Sequence, residues 1–165
     1  MKPRAAAPAL ISLGSNIGDR RLNLRHAVDR IRRRMRLVRI SSLFETDPVE
    51  APPGSPPFLN AVVLLLHHGG AERLLAETMD VEKELGRVRR QKNGPRVIDL
   101  DLILYDAAVR SSPILTLPHP RYREREFVLA PLREIAPWWI DPLDQSLVGS
   151  IRGHGKVRRI GPLLS

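Results

Sequence analysis

Residues 96–105 read Arg-Val-Ile-Asp-Leu-Asp-Leu-Ile-Leu-Tyr, and no other run constrains the fold as strongly. Side chains alternate between the faces of a β-strand, so Asp99 and Asp101 share one face while Ile98, Leu100, Leu102 and Leu104 share the other. The apolar face needs a core to pack against. The acidic face holds two like charges roughly 6 to 7 Å apart, which repel and lose hydration unless something positive sits between them. Oxygen-only ligation by one or two carboxylates suits Mg²⁺, whose shell is normally completed by waters and substrate phosphates. The alternative is an exposed strand edge decorated with aspartates against aggregation.

The residues just upstream favour the metal. Arg87, Arg89, Arg90, Lys92 and Arg96 lie in or beside a loop that opens at Gly86 and closes at Gly94. A solvated loop is the ordinary reading of such a basic run, but this one leads straight into the paired carboxylates. Guanidinium forks match phosphate oxygens bidentately. A cationic loop followed by a dicarboxylate is equipment for phosphoryl transfer, where catalysis is mostly positioning and charge stabilisation.

At 165 residues the chain is expected to form one domain over residues 8–165, with residues 1–7 a disordered lead-in. The absence of cysteine removes disulfides, thiolate zinc sites and thiol nucleophiles, and fits a reducing cytoplasm. The N-terminal apolar stretch is too short for a signal peptide or a membrane span. A net charge of +9 admits nucleic acid, an anionic membrane or a polyanionic small substrate as partner. Many of the cations fall on a helix expected over residues 19–36 (Arg20, Arg21, Arg25, Arg30, Arg32, Arg33, Arg34, Arg36), whose Leu24, Val28, Ile31 and Met35 form a buried stripe. That basic run reads as a solvated face. An RNA-binding module would want aromatics for base stacking, and the chain has 3 Phe, 2 Trp and 2 Tyr.

The pattern along the chain predicts a strand over residues 8–13, the helix capped by Asp19, a strand over 37–46 and an irregular Pro-rich loop over 47–57. A strand over 58–67 follows, then a helix over 71–85 with Leu74, Thr78, Val81 and Leu85 on one side, and the dicarboxylate strand over 96–105. A hairpin through 106–108 should return along 109–117, followed by a helix around 127–135 and a basic tail over 153–159 without a clear reading. The order β-α-β-β-α-β is the split βαβ signature of an α+β, ferredoxin-like fold: helices on a mainly antiparallel sheet. No Walker A or Gly-x-Gly-x-x-Gly sequence occurs, which disfavours P-loop ATPases, Rossmann dehydrogenases and protein kinases. His67 and His68, adjacent on a strand, point to opposite faces and read as a surface strand end rather than metal ligands.

Several segments together resemble one family. They are Leu13-Gly14-Ser15-Asn16 with Gly18-Asp19, Phe44-Glu45-Thr46, Phe58-Leu59-Asn60, Glu82 with Leu85-Gly86-Arg87, Gly94-Pro95-Arg96 with Asp99-Leu100-Asp101, and Leu117-Pro118-His119-Pro120 with Arg125 and Phe127. In this order and spacing the chain, from about Leu10 to Pro137, is similar to the 6-hydroxymethyl-7,8-dihydropterin pyrophosphokinases of folate biosynthesis. The resemblance implies a monomeric enzyme that moves the β,γ-diphosphate of ATP to the pterin hydroxymethyl oxygen and releases AMP. It implies that Asp99 and Asp101 hold two Mg²⁺ ions, that Arg87, Arg89, Arg96 and Arg125 hold phosphates, and that His119 and Glu82 lie on the ATP side. Arg87 and Arg96 join the two aspartates as the implied catalytic set. Small molecules, and neither nucleic acid nor a membrane, are the implied partners.

The pterin side also follows from residue types. Phe58 and Asn60, two apart on a strand, would aim a ring face and an amide edge into one pocket. Phe127 could complete an aromatic sandwich, with Thr46 and Val49 lining the cavity; ordinary core packing is the plainer reading of both phenylalanines. Three positions depart from the family pattern. Asn93 stands where many members have an aromatic, the 50–57 loop lacks a common glutamine, and Met79 replaces a polar helix residue.

Overall fold

The computed structural model describes residues 5–48, 51–86 and 95–164. In it β1 (Ala7–Ser15) leads into α1 (Arg20–Arg34), then β2 (Arg36–Ile40), β3 (Ser42–Thr46), β4 (Phe58–His67), α2 (Ala71–Glu84) and β5 (Asp99–Tyr105). The strands pair antiparallel in the order β5-β1-β4-β3, so the expected ferredoxin-like βαββαβ layout is present. β6 (Arg110–Ser111), β7 (Thr116–Leu117), α3 (Glu126–Ile135) and β8 (Val157–Pro162) complete the chain, and β8 extends the sheet beyond β3.

Both faces of the sheet are used. Ile11, Leu13, Ala61, Val63, Leu100 and Leu102 pack under α1 and α2, against Leu24, Val28, Ile31, Leu74 and Val81. The opposite face packs Leu10, Val62, Leu64, Ile103 and Leu104 under Val128, Leu129, Leu132 and Ile135 of α3. The sequence places α1 securely: the Asp19 carboxylate accepts from the Leu22 N–H at 2.9 Å, and Leu24, Val28, Ile31 and Met35 are all buried. α2 stops at Gly86, whose φ of 81° is a conformation that glycine reaches without strain.

Several expectations need correction. The bulge between Leu10 and Ile11 of β1 leaves Ile103 as an extra residue, which turns Leu104 to the α3 face and Tyr105 to the α1 face. Tyr105 consequently meets His67, which is buried, not at the surface: its ring lies 3.4 Å from the Tyr105 hydroxyl and 3.2 Å from Glu77. The strand expected over 37–46 is two strands. The Ser41 hydroxyl inserts into the ladder, accepting from the Val62 N–H at 2.9 Å and donating to the Ser42 carbonyl at 2.8 Å. Arg36 belongs to β2, since α1 ends at Arg34 and Met35 is extended.

The return along 109–117 does not pair with β5. The chain folds back around Pro113, where Ser112 and Leu115 bond each other, and β6 pairs with β7 instead. The tail left without a reading supplies β8, through Thr46↔Val157 and Ser42↔Pro162. Ala7, expected in the lead-in, already pairs with His67. Among the described residues, no helix is long and apolar enough to cross a membrane.

Candidate active site

Register across the sheet sets the floor of the site. Gly14 lies between Asp99 on β5 and Asn60 on β4, while Ser12 lies between Asp101 and Val62, so Asp99, Asp101, Ser12, Gly14 and Asn60 share the α3 face. Thr46 pairs with Phe58 on the same face. α3 covers only the far end of these strands, leaving a cleft over the near end.

Eight of the residues singled out from sequence line this one cleft: Thr46, Phe58, Asn60, Arg96, Asp99, Asp101, Arg125 and Phe127. Four others were not singled out as site residues: Ser12, Gly14, Asp47 and Arg121. Their signals were present, Gly14 in Leu13-Gly14-Ser15-Asn16 and Arg121 directly after Pro118-His119-Pro120. Val49, Arg87 and Arg89, with most of the basic loop and Asn93, lie outside the described residues.

Gly14 is small for a reason that geometry states. A Cβ there would sit 3.2 Å from Asn60 Oδ1 and 3.5 Å from the Phe58 ring, so glycine gives these two side chains room on the floor. Asn60 is buried, and its amide donates to the Thr46 hydroxyl at 3.1 Å and the Phe44 carbonyl at 3.5 Å. An oriented amide beside a phenylalanine face is a niche for a flat, polar-edged ring. The room in the cleft is about 110 Å³. Complete sites for drug-sized ligands run to roughly 300–1,000 Å³. The closed part therefore suits one ring system, and anything larger must extend over its open side.

That open side is cationic. Arg96, half-buried in the bend before β5, donates to Asp99 Oδ2 at 2.7 Å. Asn16 fixes its backbone from both directions: the Arg96 N–H donates to Asn16 Oδ1 at 2.7 Å and the Asn16 N–H donates to the Arg96 carbonyl at 3.1 Å. Asn16 is itself buried in the turn that Asn23 ties to α1 through Ser15 Oγ at 3.1 Å. Arg125 stacks over the Phe127 ring at 5.7 Å, at the start of α3.

His119 borders this group. Burial, then the positive charges of Arg125 and Arg121, hold its pKa down to about 4 despite the opposing pull of Asp99. It is therefore neutral near pH 7. Its Nδ1 accepts from the Arg121 N–H at 3.2 Å, which leaves Nε2–H as the donor. Glu82 does not line the cleft: buried, its carboxylate accepts the Leu100 N–H at 2.7 Å on the outer edge of β5. Met79, the departure on the same helix, is exposed.

Among the described residues no cluster of three or more Asp, Glu, His or Cys is present, so Asp99 and Asp101 form a two-carboxylate donor set. A soft or nitrogen-seeking metal would want more from the protein. Mg²⁺ fits, because it is bound by one or two carboxylates and fills its remaining positions with water and substrate phosphate.

Residues 10–137 match the family model for 7,8-dihydro-6-hydroxymethylpterin-pyrophosphokinase. The chain belongs to this family. It is 43% identical over 129 residues to the 2-amino-4-hydroxy-6-hydroxymethyldihydropteridine pyrophosphokinase of Bacillus subtilis, covering 77% of each chain. The protein of the same name from Porphyromonas gingivalis is 41% identical over 135 residues, 78% of this chain and 90% of that one. Family members also occur within longer chains. The folic acid synthesis protein fol1 of Schizosaccharomyces pombe is 38% identical over 140 residues, 81% of this chain but 18% of its own length. In wild-type Plasmodium falciparum HPPK-DHPS the same fold recurs with a TM-score of 0.69 at 12% identity, over 90% of this chain and 44% of that one. This chain thus spans from under a fifth to under half of those longer relatives.

Proposed function

We propose that the chain transfers the β,γ-diphosphate of ATP to the hydroxymethyl oxygen of 6-hydroxymethyl-7,8-dihydropterin, the reaction of its family in folate synthesis. One observation supports this reading above the others. A ring-sized niche (Thr46, Phe58, Asn60, Phe127) and a dicarboxylate (Asp99, Asp101) share one floor, separated only by Gly14, with guanidinium groups at the rim.

In this reading the pterin lies against Phe58 and Phe127 with its amide edge on Asn60, and Val49 closes the same side. Its hydroxymethyl group then reaches across Gly14 toward Asp99. The hydroxyl oxygen bonds to the β-phosphorus, the bond from that phosphorus to the α,β-bridging oxygen breaks, AMP leaves with that oxygen, and the hydroxyl proton passes to solvent water. Asp99 and Asp101 would hold Mg²⁺, two ions in this reading, which supplies neutralisation of phosphate charge and a lower hydroxyl pKa. Arg96 neutralises Asp99 in the free protein, and its guanidinium can exchange that carboxylate for phosphate oxygens. Arg125, Arg87 and Arg89 take further phosphate charge, and neutral His119 donates a hydrogen bond on the ATP side. Glu82 acts on that side by fixing the outer edge of β5.

The cysteine-free chain supports a cytoplasmic location, and the family resemblance supports a monomer, with residues 8–165, and Ala7 of β1 before them, as one domain. The deciding experiment is incubation with ATP, Mg²⁺ and the reduced hydroxymethylpterin. AMP formed in step with pterin consumption is the expected result, and ADP as the stoichiometric product would overturn it.

A further inference from the structure

Almost all described arginines have a partner. Arg20 and Arg158 bond Glu45, Arg30 and Arg34 bond Glu84, Arg73 bonds Glu77 and Arg159 bonds Glu134. Arg21, Arg25 and Arg39 reach backbone carbonyls. Arg32, Arg33 and Arg36 are different. All three are exposed, and among the described residues none of their side chains has a hydrogen bond or an ion pair. They sit together where α1 ends and β2 begins. The C-terminal dipole of α1 favours cations in its last turn, which accounts for Arg32 and Arg33 in part but not for Arg36 on the strand.

The same place holds an open strand edge. Among the described residues β2 pairs with β4 alone, its register shifting at Val38. β8 covers β3 along that edge but stops at Pro162, because Leu163 turns into the core and its carbonyl accepts from Arg25 Nε at 3.1 Å. Beside β2 this leaves a depression of about 600 Å³, roomier than the cleft, lined by Arg32, Arg36, Arg39, exposed Val38 and the Pro162–Leu164 turn, with one carboxylate, Glu134, already held by Arg159 and the Ser42 N–H. Charges commonly blunt such edges. On β8, however, Arg158 and Arg159 are held by Glu45 and Glu134 of the protein itself, whereas Arg32, Arg33 and Arg36 have no counter-charge among the described residues.

We propose that the free edge of β2 docks an extended acidic segment of another protein. The segment adds a strand beside β2, its backbone satisfies the open edge, and its carboxylates meet Arg32 and Arg36 while an apolar side chain covers Val38. Charge complementarity selects this occupant over a second copy of the chain, since two such edges would repel. β2 pairs with the Val63 to Leu66 stretch of β4, whereas the cleft uses Phe58 and Asn60 at the other end of that strand. Docking therefore leaves the cleft open, and it does not depend on the reaction assigned there.

The probe is a fluorescein-labelled peptide, Glu-Val-Glu-Val-Glu-Val-Glu with blocked ends, titrated by anisotropy at about 0.15 M salt. Saturable binding is expected, weakened about tenfold or more by Arg32→Glu/Arg36→Glu and by N-methylation of alternate peptide amides. Reversing charge at the end of α1 could itself disturb the helix, so Arg32→Gln/Arg36→Gln is the second variant; turnover of ATP and pterin by both should equal that of the parent. Three results would overturn the proposal. They are no saturation by about 1 mM peptide, equal affinity for the N-methylated peptide, and tighter binding of a single-stranded oligonucleotide, which would mark a nucleic-acid surface instead.

Discussion

Beneath α1 and α2 the sheet is apolar except at its ends, with Ile11, Leu13, Ala61, Val63, Leu100 and Leu102 all buried and only Ser15 and His67 polar, each bonded to a helix residue. Beneath α3 the same strands are apolar at one end only, and at the other they present Ser12, Gly14, Asn60, Asp99 and Asp101 to the cleft. Helix length is one source of the difference. α3 has 10 residues and spans about 15 Å, whereas β4, also of 10 residues, spans about 33 Å. A short helix covers half a strand. The uncovered half can then carry groups that no core would accept, on the same strands whose other face is fully packed.

The sharpest way to test that contrast is to mutate neighbours on β5. Asp101→Ala should lower kcat by at least about 10²–10³-fold, as expected for loss of a preorganised electrostatic group, with thermal stability unchanged or higher because a like-charge repulsion is relieved. Leu100→Ala, one residue away and facing α2, should do the reverse: about 2–5 kcal/mol of stability lost in denaturant unfolding, with near-normal turnover per folded molecule. If both variants behaved alike, the two faces would not be functionally distinct.

A smaller effect is expected at Asn60. Asn60→Ala should cost pterin binding about 1 to 3 kcal/mol by leaving ring donors and acceptors unpaired, while ATP binding measured by calorimetry stays close to that of the parent. Equal loss for both ligands would move the ring niche elsewhere. Smaller again is Gly14→Ala, whose methyl must displace Asn60 Oδ1 from 3.2 Å; about 1 kcal/mol of pterin affinity should go, with little change in Tm. A Tm drop with unchanged pterin affinity would make Gly14 a packing residue only.

The least pronounced effect concerns the elements that close the α3 face. Burial raises the pKa of Glu126, but bonds from Arg133 and the Gly153 N–H outweigh it; at Glu134 burial is likewise outweighed by Ser42 and Arg159. Both carboxyls are held below their ordinary value of 4.5. Their contribution to stability is present above that value and is lost as pH falls through it toward the folded pKa. Tm should therefore decline between about pH 5 and pH 3, and Glu126→Gln/Glu134→Gln should flatten that decline. An unchanged slope would assign acid lability to other groups.

Legibility differed between elements for physical reasons. The α1 stripe, the Asp19 cap and the bounds of β4 were readable because local periodicity and side-chain capping set them. The facing of Leu104 was not, because a bulge in the pairing with β1 changes which residues oppose each other. The break at Ser41 depends on a hydroxyl reaching Val62, a residue 21 positions away. The basic tail was opaque for a similar reason: Arg158 and Arg159 find their carboxylates on Glu45 and Glu134, far away in the chain. In the cleft, Asp99 with Asp101 and Phe58 with Asn60 were visible as pairs two apart on strands. Their meeting was not.

By itself the sequence determined the β-α-β-β-α-β order of the core, the paired carboxylates on one strand face and the family they belong to, since each depends on residues close together in the chain. Only the tertiary structure decided that Asp99 and Asn60 flank Gly14, that Asn16 holds Arg96 in place, that Glu82 is spent on the Leu100 N–H, and that Arg121 borders the cleft. Those relations depend on sheet register and on how far α3 reaches, and pairing between distant strands is set by the whole packed molecule rather than by any local run of residues.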